Sequence, residues 1–112
     1  MGNQSKLRVE QTPTFARWLD QLKDTRARAR ILTRILRLED GSLGDVRVLS
    51  DSLFELRVMV GPGYRLYGTR MGSTVVMLLC GGDKGSQNRD VEKAKRLAEK
   101  VREERSGYEE SL

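Results

Sequence analysis

Residues 53–70, LFELRVMVGPGYRLYGTR, constrain the fold more than any other stretch of this chain. Two runs of alternating character flank a Gly-Pro-Gly turn, the signature of a β-hairpin. Phe54, Leu56, Val58 and Val60 share one parity and can line a core; Leu53, Glu55, Arg57 and Met59 share the other. If residues 61–63 form a three-residue loop, Val60 pairs with Tyr64, Arg57 lies opposite Tyr67, and Met59 opposite Arg65. Glu55, Arg57, Arg65 and Tyr67 then occupy one solvent-facing side. A one-residue slip would bury Arg65, which the apolar pattern opposes.

Before the hairpin, residues 7–10 alternate as a short strand. Thr12-Pro13 reads as a helix N-cap with proline in the first turn. Phe15, Trp18, Leu19 and Leu22 form one apolar stripe, which makes Phe15 and Trp18 core residues rather than a base-stacking platform. Asp24 or Thr25 can cap a second helix carrying Ala27, Ile31, Leu32, Ile35, Leu36 and Leu38, ended by Gly41. Arg26, Arg28, Arg30, Arg34 and Arg37 cover its other faces, most simply as a solvated surface. Residues 44–49 suit a strand. Residues 74–80, TVVMLLC, read as a central strand buried on both faces and broken by GGDKG. Ser86 can cap a last helix from Gln87 to about Glu104, with Val91, Ala94, Leu97, Ala98 and Val101 at helical spacing. The order β-α-α-β-β-β-β-α predicts an α+β domain with a mostly antiparallel sheet packed against helices on one face. Residues 1–112 suit one domain, its core at about 7–104 and a loosely ordered tail at 105–112.

Composition removes whole mechanisms. The chain has no histidine, which excludes Ser-His-Asp triads, paired-histidine nucleases and most zinc sites. Its one cysteine, Cys80, cannot form an internal disulfide and falls in an apolar run. Twenty-one basic against 16 acidic residues leave a net charge of +5, which favours a polyanion or an acidic protein partner. No apolar run reaches the length of a membrane span, and the start of the chain lacks the apolar core of a signal peptide; a soluble cytoplasmic protein is expected. Residues 81–85, GGDKG, have the wrong spacing for a phosphate-binding P-loop, and the acidic residues show no metal-ligand clustering.

The chain resembles the RelE/ParE toxin superfamily, and within it the HigB-like "addiction module killer protein" branch. The resemblance rests on Phe15-Ala16-Arg17-Trp18-Leu19 with Leu22, Gly44-Asp45, Glu55-Leu56-Arg57, the stretch from Gly61 to Tyr67, and the stretch from Leu78 to Lys84 with Gln87 and Asp90, in that order and spacing. It spans residues 9–100. It implies the RelE-like fold and the toxin of a type II toxin–antitoxin operon, an endoribonuclease (mRNA interferase) acting on translated mRNA at the ribosome. The implied partners are a cognate antitoxin with a helix-turn-helix domain (HigA-like), mRNA and the ribosome, and operator DNA through the antitoxin alone. No cofactor, metal or membrane is implied. The ParE side of the superfamily inhibits DNA gyrase without nuclease activity and stands as the alternative; a relative that only binds its antitoxin is a third.

RNA scission by the substrate's own 2′-hydroxyl needs proton removal, charge stabilisation at phosphorus, and protonation of the leaving 5′-oxygen. Arg57 and Arg65 suit the second task, because a guanidinium stays charged and forks onto phosphate oxygens. Lys84, in a glycine-rich loop, can bind phosphate or act as the acid. These three are the candidate catalytic residues. Glu55 or Tyr67 can take the first proton, and Glu55, Tyr67, Asp83 and Gln87 form the candidate RNA-binding or supporting set. Some members of the branch carry a tyrosine or histidine near the C-terminus; here that region offers Tyr108 alone. The alternative is that Arg57, Glu55 and Tyr67 are ordinary cross-strand pairs and Lys84 a loop-tip ion pair with Asp83.

Overall fold

A computed structural model describes residues 6–50 and 52–111, with side chains to residue 105. The Tyr108 side chain and residue 112 therefore lie outside the described residues, and the last helix is traced to Ser111, beyond the expected Glu104 and through most of the expected tail at 105–112. The elements are β1 (Arg8–Gln11), α1 (Pro13–Gln21), α2 (Thr25–Glu39), β2 (Val46–Val48), β3 (Leu53–Val58), β4 (Tyr64–Met71), β5 (Val75–Asp83), a 3-10 turn at Lys84–Ser86, and α3 (Gln87–Ser111). This is the expected order and the expected α+β class.

Local chemistry explains the helix starts. The Thr12 hydroxyl accepts from the Phe15 amide at 3.1 Å, and Pro13 opens α1 where no amide donor is needed. The Asp24 carboxylate accepts from the Ala27 amide at 3.0 Å and caps α2. Gly41 follows the C-cap Asp40 with a φ of 92° and lets α2 stop.

The sheet order is β1-β5-β4-β3-β2, antiparallel except for the β1–β5 pair. As expected, β5 is an interior strand, between β1 and β4, and packs on both faces of the sheet. It also runs on through Gly81 and Gly82 to Asp83 rather than breaking there. Gly81 is needed inside this strand because the Trp18 ring lies on its backbone, 2.4 Å from where a Cβ would stand. A bulge opposite Tyr67 and Gly68 leaves Leu79 unpaired, so Leu79 and Cys80 both pack towards α3. The Thr12 hydroxyl donates to the Leu79 carbonyl at 2.6 Å and fixes α1 at that point.

The helices do not share one face, contrary to expectation. α1 and α2 cover one side, with Phe15, Leu19, Ile31 and Leu38 packed on Phe54, Leu56, Val58, Leu66 and Leu78. α3 covers the other, with Ala94 and Ala98 packed on Leu53, Tyr67, Leu79 and Cys80. The physical reason is the stripe of Val91, Ala94, Leu97, Ala98 and Val101. It needs an apolar surface, and the side of the sheet already occupied by α1 and α2 has none left.

Candidate functional site

The hairpin register differs from the three-residue-loop expectation by two positions. The last ladder pair is Val58 with Tyr64, so residues 59–63 form the loop; Arg57 faces Arg65, and Glu55 faces Tyr67. Val60 belongs to a turn, its carbonyl accepting from the Gly63 amide at 3.0 Å, and cannot also pair with Tyr64. Gly61 and Gly63 adopt φ values of 57° and 85°, which is what this loop requires of them. A shift of two keeps every side chain on its side, so Arg57 and Arg65 still share a face.

Two arginines directly opposite each other on a sheet repel. Each has a carboxylate that offsets this. An Arg57 Nη lies 3.2 Å from Asp45, whose own position is held by Arg34: the Arg34 guanidinium donates to the carbonyls of Leu43 and Asp45, both at 2.7 Å. The Arg57 amide also donates to the Asp45 carbonyl at 3.1 Å. Asp45 appears in the motif Gly44-Asp45, yet periodicity alone assigns it no task. Arg65 Nε lies 3.6 Å from Glu55.

Lys84 is delivered by β5. Tyr64 pairs with Asp83, and the Lys84 amide donates to the Gly63 carbonyl at 3.1 Å, which ties the turn after β5 to the hairpin loop. Arg57, Arg65 and Lys84, with Met59, Pro62 and the loop glycines, line one open cleft of about 440 Å³. The three candidate catalytic residues thus come together, and Lys84 is exposed.

The supporting set divides differently. Glu55 and Tyr67 do not face solvent: both are completely buried beneath α3. Burial, then the neighbouring Glu55 and Asp90, push the Tyr67 hydroxyl far above its ordinary value of 10.0, so it stays protonated and is no base. The Asp83 carboxylate accepts from the Gly85 and Ser86 amides at 2.8 and 3.3 Å. It caps the 3-10 turn that carries Lys84, just ahead of α3, and the Ser86 hydroxyl donates to the Asp90 carboxylate in the first turns of that helix. Gln87 points inward, its Nε2 donating to Glu55 at 3.1 Å. Cys80 is buried, which pushes its thiol up to about 12, as expected of a core rather than a reactive cysteine. Phe15 is fully buried and Trp18 partly so, as core residues.

The cleft is therefore a strongly cationic surface formed where the β3–β4 loop meets the turn after β5. It offers guanidinium forks and an ammonium to an anion, and among the described residues its walls carry no acid.

No protein-family model matches the chain. A chain in the crystal structure of the toxin–antitoxin complex RelBE2 from Mycobacterium tuberculosis superposes with a TM-score of 0.57 at 24% identity, covering 70% of this chain and 99% of its own. The fold is thus the RelE-like one: a five-stranded, mostly antiparallel sheet with three helices. A protein of Haemophilus influenzae, described as an uncharacterized protein, is 44% identical over 95 residues, which are 85% of this chain and 96% of the relative. The chain belongs to the same family as that protein. Among the described residues, no helix is long and apolar enough to cross a membrane.

Proposed function

We propose that the chain is the toxin of a type II toxin–antitoxin pair, of the HigB-like branch, and a metal-independent endoribonuclease that cuts translated mRNA at the ribosome. The observation that carries this reading is the convergence of Arg57, Arg65 and Lys84 on one cleft, with the two arginines held face to face at an electrostatic cost. The fold shared with a chain of a toxin–antitoxin complex supports a toxin role and an antitoxin partner; in this reading that partner is HigA-like, as the family resemblance implies.

In the proposed step the substrate's 2′-oxygen attacks the adjacent phosphorus and the bond to the 5′-oxygen breaks. The products are a 2′,3′-cyclic phosphate and a free 5′-hydroxyl. Arg57 and Arg65 bind the nonbridging oxygens, where negative charge grows. Lys84 donates its proton to the departing 5′-oxygen. Glu55 and Tyr67 are withdrawn as bases by their burial. Among the described residues no carboxylate or tyrosine lines the cleft, and the 2′ proton leaves to water. Catalysis then rests on charge stabilisation and positioning.

The test is brief induction in cells without the antitoxin, followed by primer-extension mapping of transcripts. Cuts within translated reading frames are expected, with growth arrest. Arg57→Ala should lower cleavage about a hundredfold to a thousandfold while leaving the fold intact, because its ion pair with Asp45 is half-exposed. Intact transcripts together with inhibited gyrase supercoiling would overturn the nuclease reading.

A further inference from the structure

Glu55 is an anomaly in the sheet. Its side chain is completely buried at a position where an apolar residue would pack beneath α3 at no desolvation cost. It also touches three parts of the site at once. Its Oε1 accepts from Gln87 Nε2, at the first residue of α3, and lies 3.6 Å from Arg65 Nε on β4. Across the ladder it faces Tyr67.

The group is charge-balanced but not fully bonded. Glu55 Oε2, Arg65 Nε and the Tyr67 hydroxyl are all buried without a hydrogen-bond partner. A separation of 3.6 Å is beyond hydrogen-bond length, so the ion pair stands slightly open. A shift of Arg65 by roughly half an ångström would close it. Arg65 is nearly buried along its length yet lines the cleft, and among the described residues no protein group accepts from its two Nη atoms.

We propose that Glu55 is a positioning residue: it holds Arg65 from behind through Nε, so that both Nη groups face a phosphate in the cleft, and a bound phosphate closes the Nε–Glu55 contact. The inference rests on the phosphodiester reading above for its kinetic part and on geometry alone for the rest. Through Gln87 the same carboxylate anchors the start of α3, directly after the turn that carries Lys84. One buried charge thereby sets the relative placement of two cationic groups on different elements. Misplacing such a group by about an ångström costs on the order of a hundredfold in rate.

The experiment pairs proton-nitrogen NMR of the arginine Nε–H groups with cleavage kinetics. In the wild-type protein, addition of a non-cleavable 2′-deoxy dinucleotide should move the Arg65 Nε–H resonance downfield and slow its exchange with water. Glu55→Gln should abolish that response and lower kcat about a hundredfold, with KM changed less than threefold. Glu55→Asp, which keeps the charge, should recover part of both. An Arg65 resonance indifferent to the dinucleotide in a wild-type protein that does cleave RNA overturns the positioning role. So does a Glu55→Gln variant with wild-type kcat. If Glu55→Gln fails to fold, Gln87→Ala takes its place, with a smaller loss of kcat expected and an unchanged kcat counting against the proposal. A wild-type protein that shows the resonance shift but cuts no RNA removes the proposed reaction and leaves the geometric assignment standing.

Discussion

The two sides of the sheet solve the packing problem differently. Beneath α1 and α2 the interior is an apolar contact of phenylalanine, leucine, isoleucine and valine, with the Tyr64 ring at its rim. Beneath α3 the interior mixes leucine and alanine with Glu55, Tyr67 and Thr69, all completely buried. Arg102 of α3 reaches down to donate to the hydroxyls of Ser52 and Thr69. An apolar side maximises stability; a polar one gives up stability for defined orientation. Arg57 and Arg65 project from the second side, where such orientation is useful.

That contrast can be tested by substitution. The largest effect is expected from Arg65→Ala, which strands the Glu55 carboxylate in the interior. It should cost about 3–5 kcal/mol of stability and nearly all cleavage, measured by chemical unfolding and by single-turnover assays. Leu66→Ala, one residue along but facing α2, should cost about 2–5 kcal/mol and leave the cleavage rate per folded molecule unchanged. Equal loss of specific activity in both would erase the distinction between the sides.

Alkaline pH offers a milder probe. The native state keeps Cys80 and Tyr67 protonated beyond their ordinary values of 9.0 and 10.0, because burial disfavours both anions. The unfolded chain releases those protons first. From these two groups, stability should fall as pH rises from about 9 through about 12, as read by urea midpoints. Cys80→Ala combined with Tyr67→Phe should flatten most of that slope. Tyr64, also raised by burial, keeps a remainder. A smaller change is expected at the rim of the cleft. Asp45→Asn frees Arg57 from its half-exposed partner and should tighten binding of inorganic phosphate a few-fold, about 0.5–1 kcal/mol, in a calorimetric titration. Removing the exposed Lys95–Glu92 pair on α3 should change nothing beyond about 0.5 kcal/mol.

Much of this arrangement was legible in the chain itself. Strand parity placed Phe54, Leu56 and Val58 against the core, and caps at Thr12 and Asp24 marked both early helices. Parity also put Arg57 and Arg65 on one side, since a register error of two leaves sidedness intact. The loop length was not legible, because a Gly-Pro-Gly tripeptide fits a short loop or the middle of a longer one. Which side α3 would take was not legible either. The polar character of Glu55 and Tyr67 argued for solvent, and only the helix that lands on them reveals that they are interior. Asp83 and Asp45 have roles set by where a turn and a neighbouring strand bring their carboxylates. Such proximity leaves no periodic trace.

The parallel pairing of β1 with β5 has a consequence for biosynthesis. Arg8 to Gln11 join partners at Val75 to Leu78, far along the chain. While the polypeptide is being made, the first strand and the helix pair behind it have no completed surface to rest on until β5 emerges. Lys84 follows β5 directly, so the cationic cleft is finished only after the sheet closes. A prematurely terminated product that stops before that strand should be both unfolded and harmless to its host.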